Sequence, residues 1–161
     1  MKVTDPHAVL IAHDRWANGK LYEACRGLSE EQFHQEFEMG CGSIHENLVH
    51  NLGAMRSWTD VLNAGEIRPW LDGLRLDIDG VISFEQEVTG PFEAAALQGS
   101  FDDVLTPSWG ENTRRFTRGG ILTHVMTHSM HHRAQCLNML RKLGVEELPR
   151  SSVVDWMDFA D

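Results

Sequence analysis

Apolar and small side chains recur along the first thirty residues at Leu10, Ala17, Leu21, Ala24 and Leu28, the spacing of one helical face. Asp5 before Pro6 supplies an N-cap and a first-turn proline, and Gly27 lies near the end of this first helix. Ser29 and Gln32 have capping-box spacing and open a short helical turn. Gly40 and Gly42 then break the chain, and Ser43 with Glu46 opens a second helix. Its stripe is Ile44, Leu48, Leu52, Met55 and Leu62, and Gly65 closes it. Residues 65–80 read as a long connection. Val81, Phe84, Val88, Phe92 and Ala95 predict a third helix over about 80–98, interrupted by Gly90-Pro91. An internal proline costs about 3 kcal/mol in a regular helix, so a kink or two short helices is expected there. Between 101 and 118, VLTPSW and TRRFTR flank Gly110-Glu111-Asn112 as a small hairpin. A fourth helix runs from Thr117 to Leu143 and stops at Gly144, and Ser151-Ser152 caps a last short helix through Asp155-Trp156-Met157. Four long helices with one lengthy crossover predict an all-α helix bundle, a single domain over 1–161.

Composition narrows the function classes. The chain has 161 residues, 42% hydrophobic and 24% charged, with a net charge of -10. An acidic chain repels phosphate backbones unless it carries a dense basic patch. The basic candidates, Arg114-Arg115 with Arg118 and Arg141-Lys142, are short and scattered, so no nucleic-acid partner is expected. No apolar run approaches the roughly 20 residues of a membrane span, and the N-terminus reaches Asp14 before a signal peptide is completed. Cys25, Cys41 and Cys136 are odd in number and lack CxxC spacing, so no disulfide framework is indicated. A cytoplasmic protein is expected.

The chemistry concentrates in HVMTHSMHHRAQ, residues 124–135, with four histidines in nine positions. At about 100° per residue, Val125, Ser129, Cys136, Met139, Leu140 and Leu143 form the buried side. His132 falls within that side and His128 on its shoulder, while His124 and His131 lie further round. His128 and His132 are therefore an i, i+4 pair able to share one cation. The zinc-protease motif HExxH needs a glutamate after its first histidine; Ser129 stands there, which removes that reading. The second helix offers His45 in its first turn and His50 on a flank with Ala54, Ser57 and Val61, and periodicity does not choose between them. Cys136 reads as core, Cys41 as a loop thiol, Arg133 as an exposed or interface ion pair. Trp58 and Trp109 are bundle residues or the walls of a ligand pocket.

GSIHENLVHNLGAMRSW (42–58), FTRGGILTHVMTHSMHHRAQCLNMLRKLG (116–144) and the Trp-Ala-Asn of LIAHDRWANGKLYEAC (10–25) together resemble the DinB-like family of metalloenzymes. The likeness is weakest over about 66–105. It implies a four-helix bundle with an up-down-down-up arrangement, usually dimeric. It also implies zinc or nickel held by three histidines, which by motif are His50, the histidine of LVHNL, with His128 and His132. Met55 departs from the acid that many relatives carry between this histidine and the tryptophan. Gln135 matches the family's glutamine; about 60° from His132 on the helix, it reads as a structural hydrogen-bonder. Studied members of the family and its relatives include transferases and isomerases that use small thiols such as bacillithiol or mycothiol.

Three neutral nitrogen ligands leave a coordination position for water or substrate, the pattern of a catalytic site. The resulting expectation is a metal-dependent, thiol-using S-transferase acting on a small electrophile as a homodimer, with no assigned general base; His124 and Glu46 are the candidates. The alternatives are a metal-dependent hydrolase and a non-catalytic metal- or ligand-binding dimer of stress response. A structural ion would need a fourth protein ligand.

Overall fold

Caps written into the sequence set the helix starts in the computed structural model, which describes residues 5–71 and 73–159. Asp5 accepts the His7 N–H at 3.0 Å and starts α1 (Pro6–Cys25). Ser29 and Gln32 cap each other reciprocally around α2 (Glu30–Phe33). Ser43 accepts the Glu46 N–H at 3.1 Å to start α3 (Ile44–Leu62), and Asp77 accepts that of Gly80 at 2.8 Å to start α4 (Ile78–Ala96). Four two-residue strands follow, β1 (Val104–Leu105), β2 (Ser108–Trp109), β3 (Asn112–Thr113) and β4 (Phe116–Thr117). Thr117 caps α5 (Arg118–Lys142), and a Ser152–Asp155 exchange starts α6 (Val153–Phe159).

Two apolar clusters show how the long helices run. One joins Ile11 of early α1, Val61 and Leu62 of late α3, Phe92 and Ala96 of late α4, and Ile121 and Leu122 of early α5. The other joins Leu21 and Cys25 of late α1, Ile44 of early α3, Val81 of early α4, and Met139 and Leu140 of late α5. Thus α1 and α5 point one way and α3 and α4 the other: up, down, down, up. Two parallel neighbours need a connection that travels back the length of the bundle. Residues 63–77 make it, with Ile67 against the first cluster and Leu71, Leu74 and Leu76 against the second.

Between the clusters lies a polar waist. Asp14 and Asn18 of α1, Asn47 and Asn51 of α3, and Ser129, His132 and Arg133 of α5 are all buried. Buried polar groups must find partners or cost stability, and these find one another.

Three local expectations need correction. α4 is one helix through Pro91, which overturns the alternative of two short helices. Gly90 and Pro91 are exposed, so water can serve the carbonyl the proline leaves unbonded. Val88, Thr89, Phe92, Ala95 and Ala96 keep the inner face buried on both sides of it. In α1 the buried face carries Ala17 and Leu21 as expected, together with Ile11, Asp14, Asn18, Tyr22 and Cys25, whereas Leu10, Ala24 and Leu28 are only half-buried. A pattern of apolar residues alone skips polar positions that face inward. At the end of α3, Ala64 takes the left-handed conformation (φ 52) and not Gly65. The Ala64 N–H then reaches the Val61 carbonyl and that of Gly65 reaches Asp60, a Schellman closure.

The hairpin forms as expected. Val104 opposes Thr117, Leu105 Phe116, Ser108 Thr113 and Trp109 Asn112, one constant antiparallel register. Arg118, read from sequence as part of a scattered basic group, is buried where the hairpin meets α5. Its guanidinium bonds the carbonyls of Ala95 and Leu62, so it caps the C-terminal ends of α4 and α3 together. No described helix is long and apolar enough to cross a membrane.

Candidate metal centre

α3 and α5 bring three imidazoles to one point in the waist. The Nε2 atom of His128 lies 3.2 Å from that of His50 and 3.2 Å from that of His132. Each α5 ring is held from behind by an asparagine of α3. His132 Nδ1 is 2.8 Å from Asn47 Oδ1, and His128 Nδ1 is 3.3 Å from Asn51 Oδ1. The amide orientations follow from the far sides. Asn47 Nδ2 donates to the Ser43 carbonyl, which can only accept, at 2.7 Å, so its oxygen must face His132; Asn51 sits the same way, with Nδ2 toward Ser129 Oγ at 3.1 Å and its oxygen toward His128. A carbonyl oxygen only accepts, and both rings therefore carry their hydrogen on Nδ1.

That tautomer fixes the chemistry of the other side. With Nδ1 protonated, the Nε2 atoms of His128 and His132 present lone pairs to each other across 3.2 Å. Two facing lone pairs repel, and a cation between them removes the conflict. Ligand nitrogens 2.0–2.1 Å from one ion are about 3.3 Å apart in a tetrahedral site and about 2.9 Å apart at right angles. The observed spacing lies between and fits a transition ion without selecting which.

Electrostatics act the same way. Burial, then the neighbouring imidazoles of His132 and His50, push the His128 pKa down to about 4. Burial followed by His50 and His131 pushes His132 down to about 4. Burial also lowers His50. The rings are neutral at neutral pH, the state a cation requires. His50 lies beside the Trp70 indole, ring centroids 5.3 Å apart.

Behind this pair a chain of hydrogen bonds reaches α1. Ser129 Oγ accepts from Asn51 and, at 3.1 Å, from Asn18. Asn18 donates to Asp14 at 3.0 Å, and Arg133 bonds Asp14 and Asn18 at 2.8 Å each. Arg133 is thus an internal ion pair and not an exposed or interface one; its side chain is 3% exposed.

The structure separates the other histidines. His45 is buried, and its Nε2 accepts the Leu76 N–H at 3.1 Å where the long connection returns. It is neither a solvated cap residue nor part of the convergence. His131 lies 2.9 Å from Gln135 Nε2, the structural bond expected of that glutamine. His124 stands edge-on to Trp58, ring centroids 5.3 Å apart, and 5.5 Å from the His128 ring. Cys136 is fully buried core, and Met55 packs in the first apolar cluster.

Sequence reasoning missed two sets of residues. Asn47 and Asn51, themselves an i, i+4 pair, mirror the spacing of His128 and His132, and that matched spacing was the available signal. Cys41 stood out in the sequence only as a loop thiol, because a loop has no periodicity that would tie it to the histidines. Its thiol, with one nitrogen of His50 and one of His132, forms a group whose donor atoms lie within 4.8 Å of one another. Burial and Glu46 raise the Cys41 pKa above its ordinary value.

Two hollows flank the centre. Cys41, His50, Trp70 and Leu74 line a small one of about 150 Å³. Trp58, Trp109, Phe116, Arg114 and His124 line an open cleft of about 570 Å³. Trp58 packs against the first apolar cluster and also lines this cleft, which Trp109 lines with it, so both roles considered for the tryptophans are met at Trp58.

Comparison with known proteins agrees with this architecture. The DinB family model matches residues 1–155. A solved DinB-like protein of Bacillus subtilis (YjoA) superimposes with a TM-score of 0.67 at 18% sequence identity, covering 89% of this chain and 96% of that one. At that identity the likeness speaks for the fold. No curated protein matches the chain.

Proposed function

The chain belongs to the DinB family, and on that premise we propose that His50, His128 and His132 hold a divalent cation, zinc or nickel, in a metal-dependent enzyme. Its most concrete activity is transfer of a small thiol to an electrophile. The observation that carries the reading is the 3.2 Å approach of Nε2 lone pairs whose rings are locked by Asn47 and Asn51. A divalent cation there supplies Lewis acidity that favours the ionised form of a thiol or of water. The residues do the rest: the asparagines fix ring orientation and tautomer, and burial keeps the imidazoles neutral. The cleft of Trp58, Trp109 and Phe116 offers apolar walls to an electrophile one helical turn from His128. The candidates for handling a proton are His124, in the lining of the cleft, and Glu46, in that of the small hollow.

A second reading has a specific observation behind it. Cys41 provides a further protein donor near His50 and His132, and a site closed by four protein ligands suits a structural ion in a non-catalytic protein. Incubating metal-loaded protein with a reporter electrophile, with and without a small thiol, separates these readings. Thiol-dependent turnover supports the transferase. Turnover without thiol points to hydrolysis, and none at all to the structural ion. Elemental analysis tests the ligands: His50→Ala, His128→Ala and His132→Ala lose nearly all bound metal, while His45→Ala, His124→Ala and His131→Ala retain it. Retention by His50→Ala would overturn the assignment on α3.

A further inference from the structure

The loop before α3 brings a donor of a different kind close to two of the three imidazoles, those of His50 and His132. Cys41 stands between Gly40 (φ 57) and Gly42 (φ 102), both in the left-handed region. Glycine adopts that region without strain, and the two together turn the one side chain between them toward the first turns of α3. The Cys41 N–H donates to Asn47 Oδ1 at 3.4 Å, the same oxygen that holds His132 Nδ1. Loop and imidazole therefore share one anchor, a single buried asparagine. A Cβ added at Gly40 would come to 2.5 Å from that oxygen and from Gln135 Oε1, so the approach of the loop to Asn47 leaves no room for a side chain there.

The cysteine is correspondingly near the histidines. Its Sγ and the His50 and His132 nitrogens lie within 4.8 Å of one another. With bonds of about 2.0–2.1 Å to nitrogen and 2.3 Å to sulfur, tetrahedral donor atoms sit roughly 3.3–3.6 Å apart. A movement on the order of 1 Å brings the thiol into that range, within what a loop hinged on two glycines allows.

We propose that Cys41 is the fourth ligand of the cation, bound as the thiolate, so that the resting centre is a three-histidine, one-cysteine site. Forming the metal–sulfur bond breaks the S–H bond and releases that proton to solvent, with no change of oxidation state. A small thiol would then enter by exchange with the protein's own sulfur, its S–H proton passing to Cys41 as Cys41 leaves, with no net change in charge or oxidation state. The proposal rests on the preceding reading for the presence of a cation but not for any turnover.

Cobalt(II) is the probe, since its spectrum reports sulfur ligation directly. Loaded wild-type protein is expected to show the visible bands of a tetrahedral ion together with a near-ultraviolet sulfur-to-cobalt charge-transfer band. Cys41→Ser keeps the visible bands and loses the charge-transfer band. Iodoacetamide gives a second readout, because Cys25 and Cys136 are buried and Cys41 alone is half-exposed. One thiol should alkylate readily in the cation-free protein and become protected on loading. Cobalt binding without the charge-transfer band, or a band that survives in Cys41→Ser, overturns this proposal alone. Failure of the wild type to bind cobalt at all overturns the three-histidine reading with it.

Discussion

Asn47 holds His132 from behind, its Oδ1 receiving the ring Nδ1 hydrogen at 2.8 Å while its own amide is tied to the Ser43 carbonyl at the cap of α3. A helix cap thereby determines which nitrogen of a ring on another helix is free. Loss of such an outer partner typically weakens metal binding about 10–100-fold. Asn47→Ala is expected in that range by competition with a chelating dye. Asn51→Ala, whose bond to His128 is longer at 3.3 Å, falls at the lower end.

The Asp14–Arg133 pair makes a stability prediction. Both side chains are almost fully buried, with 2.8 Å between Oδ1 and the guanidinium. Asp14→Ala strands a buried cation and should cost about 3–5 kcal/mol in urea denaturation. The double variant Asp14→Leu, Arg133→Met removes both charges and should recover most of that loss. A double variant no more stable than Asp14→Ala would show that the pair's hydrogen bonds to Asn18, and not the stranded charge, dominate.

Acid should destabilise the cation-free protein. Burial lowers the pKa of His45 from 6.5 to about 4, followed in effect by the charges of His34 and Arg75. Between those values the unfolded chain takes up a proton that the folded chain refuses, so stability is full above about pH 6.5 and declines as the pH falls toward 4. His128 and His132, also lowered to about 4, add to the same slope. Urea midpoints measured above neutrality and near pH 5 should differ, and His45→Gln should shrink the difference while leaving an acceptor for Leu76. An unchanged slope in that variant would remove His45 from the account.

The aromatic cleft predicts a binding effect separable from the metal. Trp109, 36% exposed, and Trp58 meet edge to face with centroids 5.8 Å apart. Losing one aromatic partner is worth about 0.5–1.5 kcal/mol, or roughly threefold to tenfold in KM for an aromatic electrophile. Trp109→Ala should show that rise with unchanged kcat and full metal content, the pattern of lost uniform binding. A fall in metal content instead would tie the hairpin to the centre and not to the cleft.

What could be read in advance follows from where periodicity operates. The α3 stripe and the inward turn of His132 obey a helical repeat, and the caps at Asp5, Ser29 and Ser43 obey local spacing rules. The inner face of α1 did not yield to the same reading, because Asp14 and Asn18 are polar and their burial depends on Arg133, more than a hundred residues away. His50 was distinguished from His45 by likeness of motif, and only the three-dimensional meeting of α3 with α5 gives that choice a physical basis. Cys41 and the capping role of Arg118 arise from contacts between a loop or helix end and distant backbone, for which one chain read linearly carries no repeat. The unbroken α4 reflects solvent access at Pro91, which depends on where the neighbouring helices lie.

The band of polar side chains at mid-height has a consequence for how the molecule comes apart. Because it lies between two apolar clusters that share only Phe84 among the side chains packed against them, one end can loosen more than the other. A cation clamped between α3 and α5 would rivet the halves into one cooperative unit, so amide exchange at the two ends should be uneven in the bare protein and converge once the ion is seated.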